Sequence, residues 1–219
     1  MKIFVVIPGH NEEQYLATVL KKVQKVTKNI IFVDDGSTDT SAQIAWRYLD
    51  HVLVHETNLG KGAALTTGCE YAFEELDADA VIFMDSDDQH DPKEIPKFVK
   101  ALEGNTELVF GVRREGPYMP ALRFIGNKFA SIILNMLFQM YVPDIPSGYK
   151  ALTRKAYKKV RWNSSGYEVE AEIAARTAKQ RLPFAVVEID PIYHDSDKGM
   201  TILDALHIGV RLLQWKLEL

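Results

Sequence analysis

Two carboxylates, Asp85 and Asp87, stand two residues apart directly after the apolar run 80–84 (Ala-Val-Ile-Phe-Met), and Asp88 and Gln89 follow them. An apolar run of that length reads as a strand buried on both faces, which puts the acidic pair at a sheet edge. Hard oxygen donors in that setting suit Mg²⁺ or Mn²⁺, ions that bridge one or two protein carboxylates to the phosphates of a substrate. The chemistry indicated is a metal-assisted reaction on a nucleotide diphosphate. The plainer reading of the same residues is a solvated strand-to-helix turn. Their neighbours in the fold decide between the two.

Polar residues also collect at other strand ends. The run 3–7 leads into Pro8-Gly9-His10-Asn11-Glu12, and 30–33 into Asp34-Asp35-Gly36-Ser37-Thr38-Asp39. The run 52–54 leads towards Asn58-Leu59-Gly60-Lys61-Gly62. Ligands of open α/β sheets bind beyond the carboxyl ends of the strands, so a parallel sheet brings all these sets to one rim. No G-x-G-x-x-G follows the first strand and no G-x-x-x-x-G-K-[ST] occurs anywhere. Phosphate must be held by other means, and a divalent ion together with Lys61 is what the sequence offers.

The elements that must position these residues alternate. Strands are expected at 3–7, 30–33, 52–54, 81–84 and 108–112, with helices between them, the pattern of a parallel sheet covered by helices. Tyr15, Leu16, Val19, Leu20 and Val23 keep helical spacing, opened by Asn11 with Gln14 three residues on. Asp91-Pro92-Lys93-Glu94 offers an N-cap carboxylate, proline at the first helical position and a glutamate to close a capping box. Ile95, Phe98, Val99 and Leu102 then form the buried face, and Gly104 ends it. In the second half, 121–142 reads as an apolar helix with a polar stripe of Arg123, Asn127, Ser131, Asn135 and Gln139. Residues 168–179 read as a helix, 184–193 as a strand, and 202–217 as a closing amphipathic helix with Asp204, His207, Arg211 and Gln214 on its polar face.

Bulk properties exclude several classes. A chain of 219 residues with 47% hydrophobic and 26% charged side chains is an ordinary globular composition, expected as one domain. A net charge of −4 leaves no basic footprint for nucleic acid. The single cysteine, Cys69, excludes an internal disulfide and a cysteine-rich zinc site, and its spacing to Leu65, Ala72 and Phe73 marks it as a buried thiol. Residues 1–8 are too short for a signal peptide and read as the first strand. No apolar run approaches the roughly 20 residues of a membrane-spanning helix. A cytoplasmic location is expected.

Taken in order, Ile-Pro-Gly-His-Asn-Glu-Glu (7–13), Val-Asp-Asp-Gly-Ser-Thr-Asp (33–39), Asn-Leu-Gly-Lys-Gly (58–62) and Met-Asp-Ser-Asp-Asp-Gln-His-Asp-Pro (84–92) resemble the ordered motifs of family 2 glycosyltransferases. Gly-Val-Arg (111–113), Asp-Ile-Pro-Ser-Gly-Tyr-Lys-Ala (144–151) and Gly-Tyr-Glu-Val-Glu-Ala-Glu-Ile (166–173) continue the likeness, which is to the dolichyl- or polyprenyl-phosphate mannose synthase branch. The resemblance implies an α/β, Rossmann-like GT-A fold. It has a mostly parallel central sheet flanked by helices in a single domain, 1–115 binding the nucleotide sugar and 116–219 the acceptor. It implies that Pro8, His10, Glu12, Val33 and Asp34 hold the base and ribose, with Asp34 the binding member of its pair and Asp35 a turn former. It further implies that Lys61 faces the diphosphate, that Asp85, Ser86 and Asp87 contact the donor, and that Asp85, Asp87 and Gln89 ligate Mg²⁺ or Mn²⁺.

The branch acts on a lipid monophosphate, whose charge of about −1.5 to −2 makes its oxygen a nucleophile without a protein base. The protein's task is then to orient two anionic partners and offset their repulsion. Arg113 and Arg123 are the expected partners of the acceptor phosphate, with Asp144, Ser147 and Lys150 bordering sugar and phosphate. Relatives commonly carry an arginine before a Gly-x-Ser element near the C-terminus. Here 194–201 reads His-Asp-Ser-Asp-Lys-Gly-Met-Thr, leaving Lys198 or His194 in its place without a guanidinium's planar fork. The expected activity is inverting transfer of mannose or glucose from a GDP- or UDP-sugar to a polyprenyl phosphate at the membrane surface. Helix 121–142 would touch lipid and helix 202–217 would pack on the core or a second subunit. Three alternatives stand beside it: transfer to a hydroxyl with Asp144 as base, nucleotidyl transfer from a triphosphate, and a catalytically silent nucleotide-sugar sensor.

Overall fold

The structure is a computed structural model that describes residues 1–114, 121–190, 192 and 202–218, with backbone alone at 121–127 and 202–206. Seven strands form one sheet: β1 (Ile3–Gly9), β2 (Ile30–Asp34), β3 (His51–Val54), β4 (Ala80–Phe83), β5 (Leu108–Arg113), β6 (Lys150–Thr153) and β7 (Phe184–Ile189). Their order is β3-β2-β1-β4-β6-β5-β7. β1 pairs in parallel with both β2 and β4, and β5 with β7, whereas β6 runs antiparallel between β4 and β5. The five strands expected in the first half are all present. β6 is an additional one, and the segment expected to be extended through 193 leaves the sheet after Ile189.

The continuous apolar runs make sense once both faces are covered. Along β1, Val5 and Ile7 face one core while Phe4 and Val6 face the other. The first core is closed by α1 (Glu13–Val23), α2 (Ser41–Trp46) and α4 (Ile95–Leu102), through Leu16, Leu20, Ala45, Ile95 and Phe98. The second is closed by α3 (Lys61–Glu70), α5 (Ala121–Phe138), α6 (Arg154–Val160), α7 (Val169–Lys179) and α8 (Ile202–Glu218). Cys69 lies fully buried there, and burial pushes its thiol up. Fully burying a leucine or phenylalanine contributes about 1.5–3 kcal/mol, so each side of the sheet carries a substantial share of stability.

Two helix starts differ from expectation. Asn11 does not cap α1. It sits at φ 55° and its side-chain oxygen accepts the Thr38 backbone N–H at 2.8 Å, tying the β1 exit to the β2 exit. α1 begins at Glu13, whose carboxylate accepts from the backbone and hydroxyl of Thr40, while Asp39 accepts the Glu13 N–H. α1 and α2 therefore hold each other's N-termini. Asp91 does cap, accepting the Lys93 N–H at 3.0 Å with Pro92 at the first position, but the first turn is 3₁₀ and Glu94 pairs with Lys97. Helix α5 stops at Phe138, where Gln139 takes φ 58°.

Candidate active site

β1 ends at Gly9 beside Asp34 of β2, and β4 ends at Phe83 beside Val6, so their exits share the carboxyl rim. β6 is antiparallel, which places its first residue, Lys150, opposite Phe83 of β4 and Phe110 of β5 on that same rim. The loop preceding β6 is thereby delivered to the Asp85 pair. A cleft of about 200 Å³ opens here, walled by Pro8, His10, Glu12, Lys61, Asp85, Ser86 and Asp87 from the expected set. Gly9, Asp35, Asn58, Gly60, Ala64 and Tyr167 complete it. A wider, shallower depression around Asp79, Arg154 and Lys158 lies at the opposite rim, away from these groups.

The wall formed by the β1 and β2 exits is tied together by hydrogen bonds. His10 Nδ1 lies 2.8 Å from the Asp35 carbonyl and its Nε2 lies 3.1 Å from the Asn11 amide nitrogen. A neutral ring with its proton on Nδ1 satisfies both contacts. The Ser86 hydroxyl donates to the Pro8 carbonyl at 2.9 Å, stapling the β4 exit to the β1 exit. Val33 and Asp34 lie behind the cleft instead of lining it: Val33 belongs to the core packed on α3, and the Asp34 carboxylate accepts the Ser37 N–H at 3.2 Å. Asp35 lines the cleft and shapes the turn, accepting from Leu59 N–H at 2.9 Å, Gly60 N–H at 2.7 Å and His55 Nδ1 at 2.8 Å.

The loop that presents Lys61 is fixed from the other side as well. Gly60 stands at φ 96°, and a Cβ there would strike the Ser165 carbonyl. That carbonyl accepts the Gly62 N–H at 2.6 Å, so the start of α3 is capped by backbone. The 163–165 segment is in turn held by buried Glu172, which accepts the N–H groups of Asn163 (3.0 Å) and Ser164 (2.8 Å) and pairs with Arg176 at 2.7 Å. Burial opposes charge on Glu172, but these bonds, led by that of the Ser164 hydroxyl, outweigh it and keep its pKa low.

Lys61 Nζ lies 2.7 Å from Asp85 Oδ1 and 2.7 Å from Glu170 Oε1. Burial disfavours the ammonium, yet the two carboxylates overcome that cost and raise its pKa. Asp85 shows the mirror image: burial works against its charge, and Lys61 and neighbouring cationic groups hold the carboxyl well below the usual range. Gly148 packs directly on this pair. A Cβ there would lie 2.8 Å from Lys61 Nζ and 2.7 Å from Asp85 Oδ1. His90 accepts the Asp85 backbone N–H at Nδ1 and stacks on Tyr149 at 4.7 Å; burial holds its pKa down to about 4, so the ring is neutral. Asp88 turns away to Lys22 at 2.7 Å.

The acceptor-side candidates are tightly engaged. Arg113, at the end of β5, meets Asp144 with Nε at 2.7 Å and Nη2 at 2.8 Å, a two-pronged pair. Buried Lys150 donates to the carbonyls of Ile145 (3.1 Å) and Ser147, and burial brings its pKa down to about 8. The Ser147 hydroxyl is buried without a hydrogen-bond partner among the described residues. Arg123 belongs to the first turn of α5, where only the backbone is described, and Lys198 and His194 lie outside the described residues. Glu170, Gly148, His90 and Tyr167 were not singled out as site residues by sequence reasoning. Only the repeated glutamates of 168–172 hinted at the first of them.

The donor set fits a hard divalent ion. Asp85 and Asp87 line one cleft, Asp85 is held ionised, and Asp87 Oδ1 accepts the Gln89 N–H at 3.1 Å, which folds the loop back on itself. Among the described residues no three His, Cys, Asp or Glu side chains are grouped to hold an ion by themselves. An ion here would complete its shell with substrate oxygens, as Mg²⁺ commonly does.

A mixed sheet in this order, with an acidic cleft at its carboxyl rim and helices on both faces, is the GT-A architecture of glycosyltransferases. Residues 4–161 match the family described as Glycosyl transferase family 2, and the chain belongs to that family. It is 30% identical to UDP-N-acetylglucosamine–dolichyl-phosphate N-acetylglucosaminyltransferase of Methanococcus voltae over 243 residues, covering 98% of this chain and 96% of that one. It is 27% identical to undecaprenyl-phosphate mannosyltransferase of Micrococcus luteus, over 99% of this chain and 95% of the relative. Among solved structures, glucosyl-3-phosphoglycerate synthase from Mycobacterium tuberculosis, in complex with Mn²⁺, UDP and phosphoglyceric acid, superposes with a TM-score of 0.76. That likeness spans 99% of this chain and 78% of the other at 23% identity, and it concerns the fold.

Proposed function

We propose that this protein transfers a sugar from a nucleotide-diphosphate donor to a polyprenyl monophosphate, with inversion at the anomeric carbon. The observation that carries the reading is the single cleft in which Lys61, Asp85 and Asp87 face the His10 and Glu12 wall. It joins cationic and anionic groups suited to a diphosphate–ion pair to a pocket for a base. Asp85, Asp87 and Gln89 would hold Mg²⁺ or Mn²⁺, which when bound neutralises charge on the departing diphosphate. Pro8, His10 and Glu12 would bind base and ribose, with Asp34 and Asp35 shaping the floor.

A phosphate acceptor needs no protein base, and the site agrees with that economy. Asp144, the candidate base for a hydroxyl acceptor, is already engaged by Arg113 through both of its carboxylate oxygens. The same contact orients the Arg113 guanidinium for an anionic acceptor; Arg123, Ser147, Lys150 and Lys198 are further candidates for that acceptor. The relatives differ in the sugar their names carry, so mannose, glucose and N-acetylglucosamine belong in one donor series with both UDP and GDP. Peripheral contact with the membrane follows from the acceptor, and α5 offers an apolar outer surface of Phe129, Ile132 and Met136. No helix among the described residues is long and apolar enough to cross a bilayer.

The test is a panel of UDP- and GDP-sugars with a short-chain polyprenyl phosphate, products weighed by mass spectrometry, with and without chelator. Glycosylated lipid phosphate from one donor, lost on chelation and with Asp87→Ala, is expected. Sugar transfer to a hydroxyl while lipid phosphate goes unused would overturn the acceptor assignment, and donor binding without turnover of any acceptor would favour a sensor.

A further inference from the structure

Glu170 is the buried acidic group that the proposed reaction leaves unused. It sits on the first turn of α7, 5% exposed, with Oε1 2.7 Å from Lys61 Nζ. Its Oε2 is buried and has no hydrogen-bond partner among the described residues. A buried carboxylate oxygen left without a donor is costly, so its presence asks for a use in another state of the protein. Lys61 supplies the other half of the observation. Its ammonium bridges Asp85 and Glu170, and Asp85 is one of the two carboxylates on which a divalent ion would depend. Gly148 closes the space beside Asp85 and Lys61, so the ammonium cannot retreat on that side.

An arriving cation and the Lys61 ammonium compete for one carboxylate and repel each other. From these contacts we infer that Glu170 is a positioning residue that draws Lys61 off Asp85 when a divalent cation binds, its second oxygen receiving the N–H that Asp85 gives up. Lys61 then stays within the cleft as a point charge for the diphosphate, and Asp85 becomes available to the ion. The inference rests on the cation assignment made above and adds the group that makes Asp85 and Lys61 usable together.

The experiment measures Mn²⁺ binding to the purified full chain by the loss of the free-ion EPR signal, with UDP or GDP present and no sugar. Four proteins are compared: wild type, Glu170→Gln, Lys61→Met and the double variant, each with its melting temperature. Glu170→Gln should leave Lys61 anchored on Asp85 alone and weaken Mn²⁺ binding about 10-fold. The double variant should return to wild-type affinity or tighter, because nothing then competes for Asp85. A merely structural role for Glu170 predicts the opposite, a double variant as weak as or weaker than the single one, and that result overturns the inference. So does a folded Glu170→Gln with unchanged affinity. Should Glu170→Gln not fold, Glu170→Asp, with its carboxylate withdrawn by one methylene, is read the same way with Lys61→Met as its partner. Wild-type protein that binds no Mn²⁺ under either nucleotide refutes the cation assignment itself, a failure distinct from the others.

Discussion

Asp87 and Gly148 carry opposite kinds of information about the cleft. Asp87 is the ion ligand proposed above, on a loop beyond the sheet: Asp87→Ala should lower the turnover number by about 10²–10³-fold, the scale of losing one preorganised electrostatic group, with little change in melting temperature. Initial rates at saturating donor measure it. Gly148 contributes nothing but space. The Gly148→Ala methyl would press on Asp85 and Lys61, atoms that cannot both move without breaking their pair. A cost of about 1–3 kcal/mol in stability is expected, the range for overpacking, together with at least a tenfold loss of kcat/KM. Activity intact in Gly148→Ala would show that the pair can spread without consequence. Asp85, Asp87 and Lys61 were legible as chemistry because carboxylates after an apolar run are conspicuous. Gly148 was not, because a glycine's reason lies in what crosses above it.

Among the elements, α3 and α7 are coupled through the 163–165 segment, and Glu172 is the bond between them. Its folded pKa is depressed, so its contribution is present above the ordinary carboxylate range near 4.5 and is lost as pH falls through the lowered folded value. Urea midpoints measured from neutral pH downward should therefore fall on the acid side in the wild-type protein. Glu172→Gln should be less stable at neutral pH, with a flatter acid limb. A parallel acid limb in both proteins would remove Glu172 from this role. The hidden element here is β6. Lys150-Ala-Leu-Thr is short, begins with a charge and lacks a strand's usual alternation, so local pattern did not mark it; its pairing partners on β4 and β5 make it a strand.

For the whole molecule, the apolar outer face of α5 and α8 bears on location. α8 buries Ile208, Leu212 and Trp215, as expected for a helix that closes the core, while Val210, Leu213 and Leu217 stay exposed. Phe129, Ile132 and Met136 of α5 are exposed as well, apolar side chains of the kind an interfacial helix presents to lipid. Co-sedimentation with vesicles of mixed neutral and anionic lipid should retain the wild type and release Ile132→Ser/Met136→Ser, with the catalytic cleft untouched. Equal sedimentation of both would remove α5 as the contact. The two-layered core makes a separate point: Leu20→Ala, fully buried between sheet and α1, should cost about 2–5 kcal/mol in chemical unfolding.

Composition and spacing alone indicated an α/β chain with a largely parallel sheet, and carboxylates and one lysine gathered at the strand exits. Those features are local: a doubly buried strand must be apolar along its length, and its polar exit follows in sequence. The family motifs were equally legible, since each is a contiguous turn. What the tertiary structure alone decided is which of these groups meet. The antiparallel β6 brings Gly148 against Asp85, and α7 brings Glu170 against Lys61, across separations of 63 and 109 residues. Asp34, the last residue of β2, lies beneath the cleft, while Asp35, the first residue past the strand, lines it where the chain turns against the N–H groups of Leu59 and Gly60. Long-range electrostatic pairing of that kind has no signature in spacing, because it depends on sheet order and on backbone approach in three dimensions.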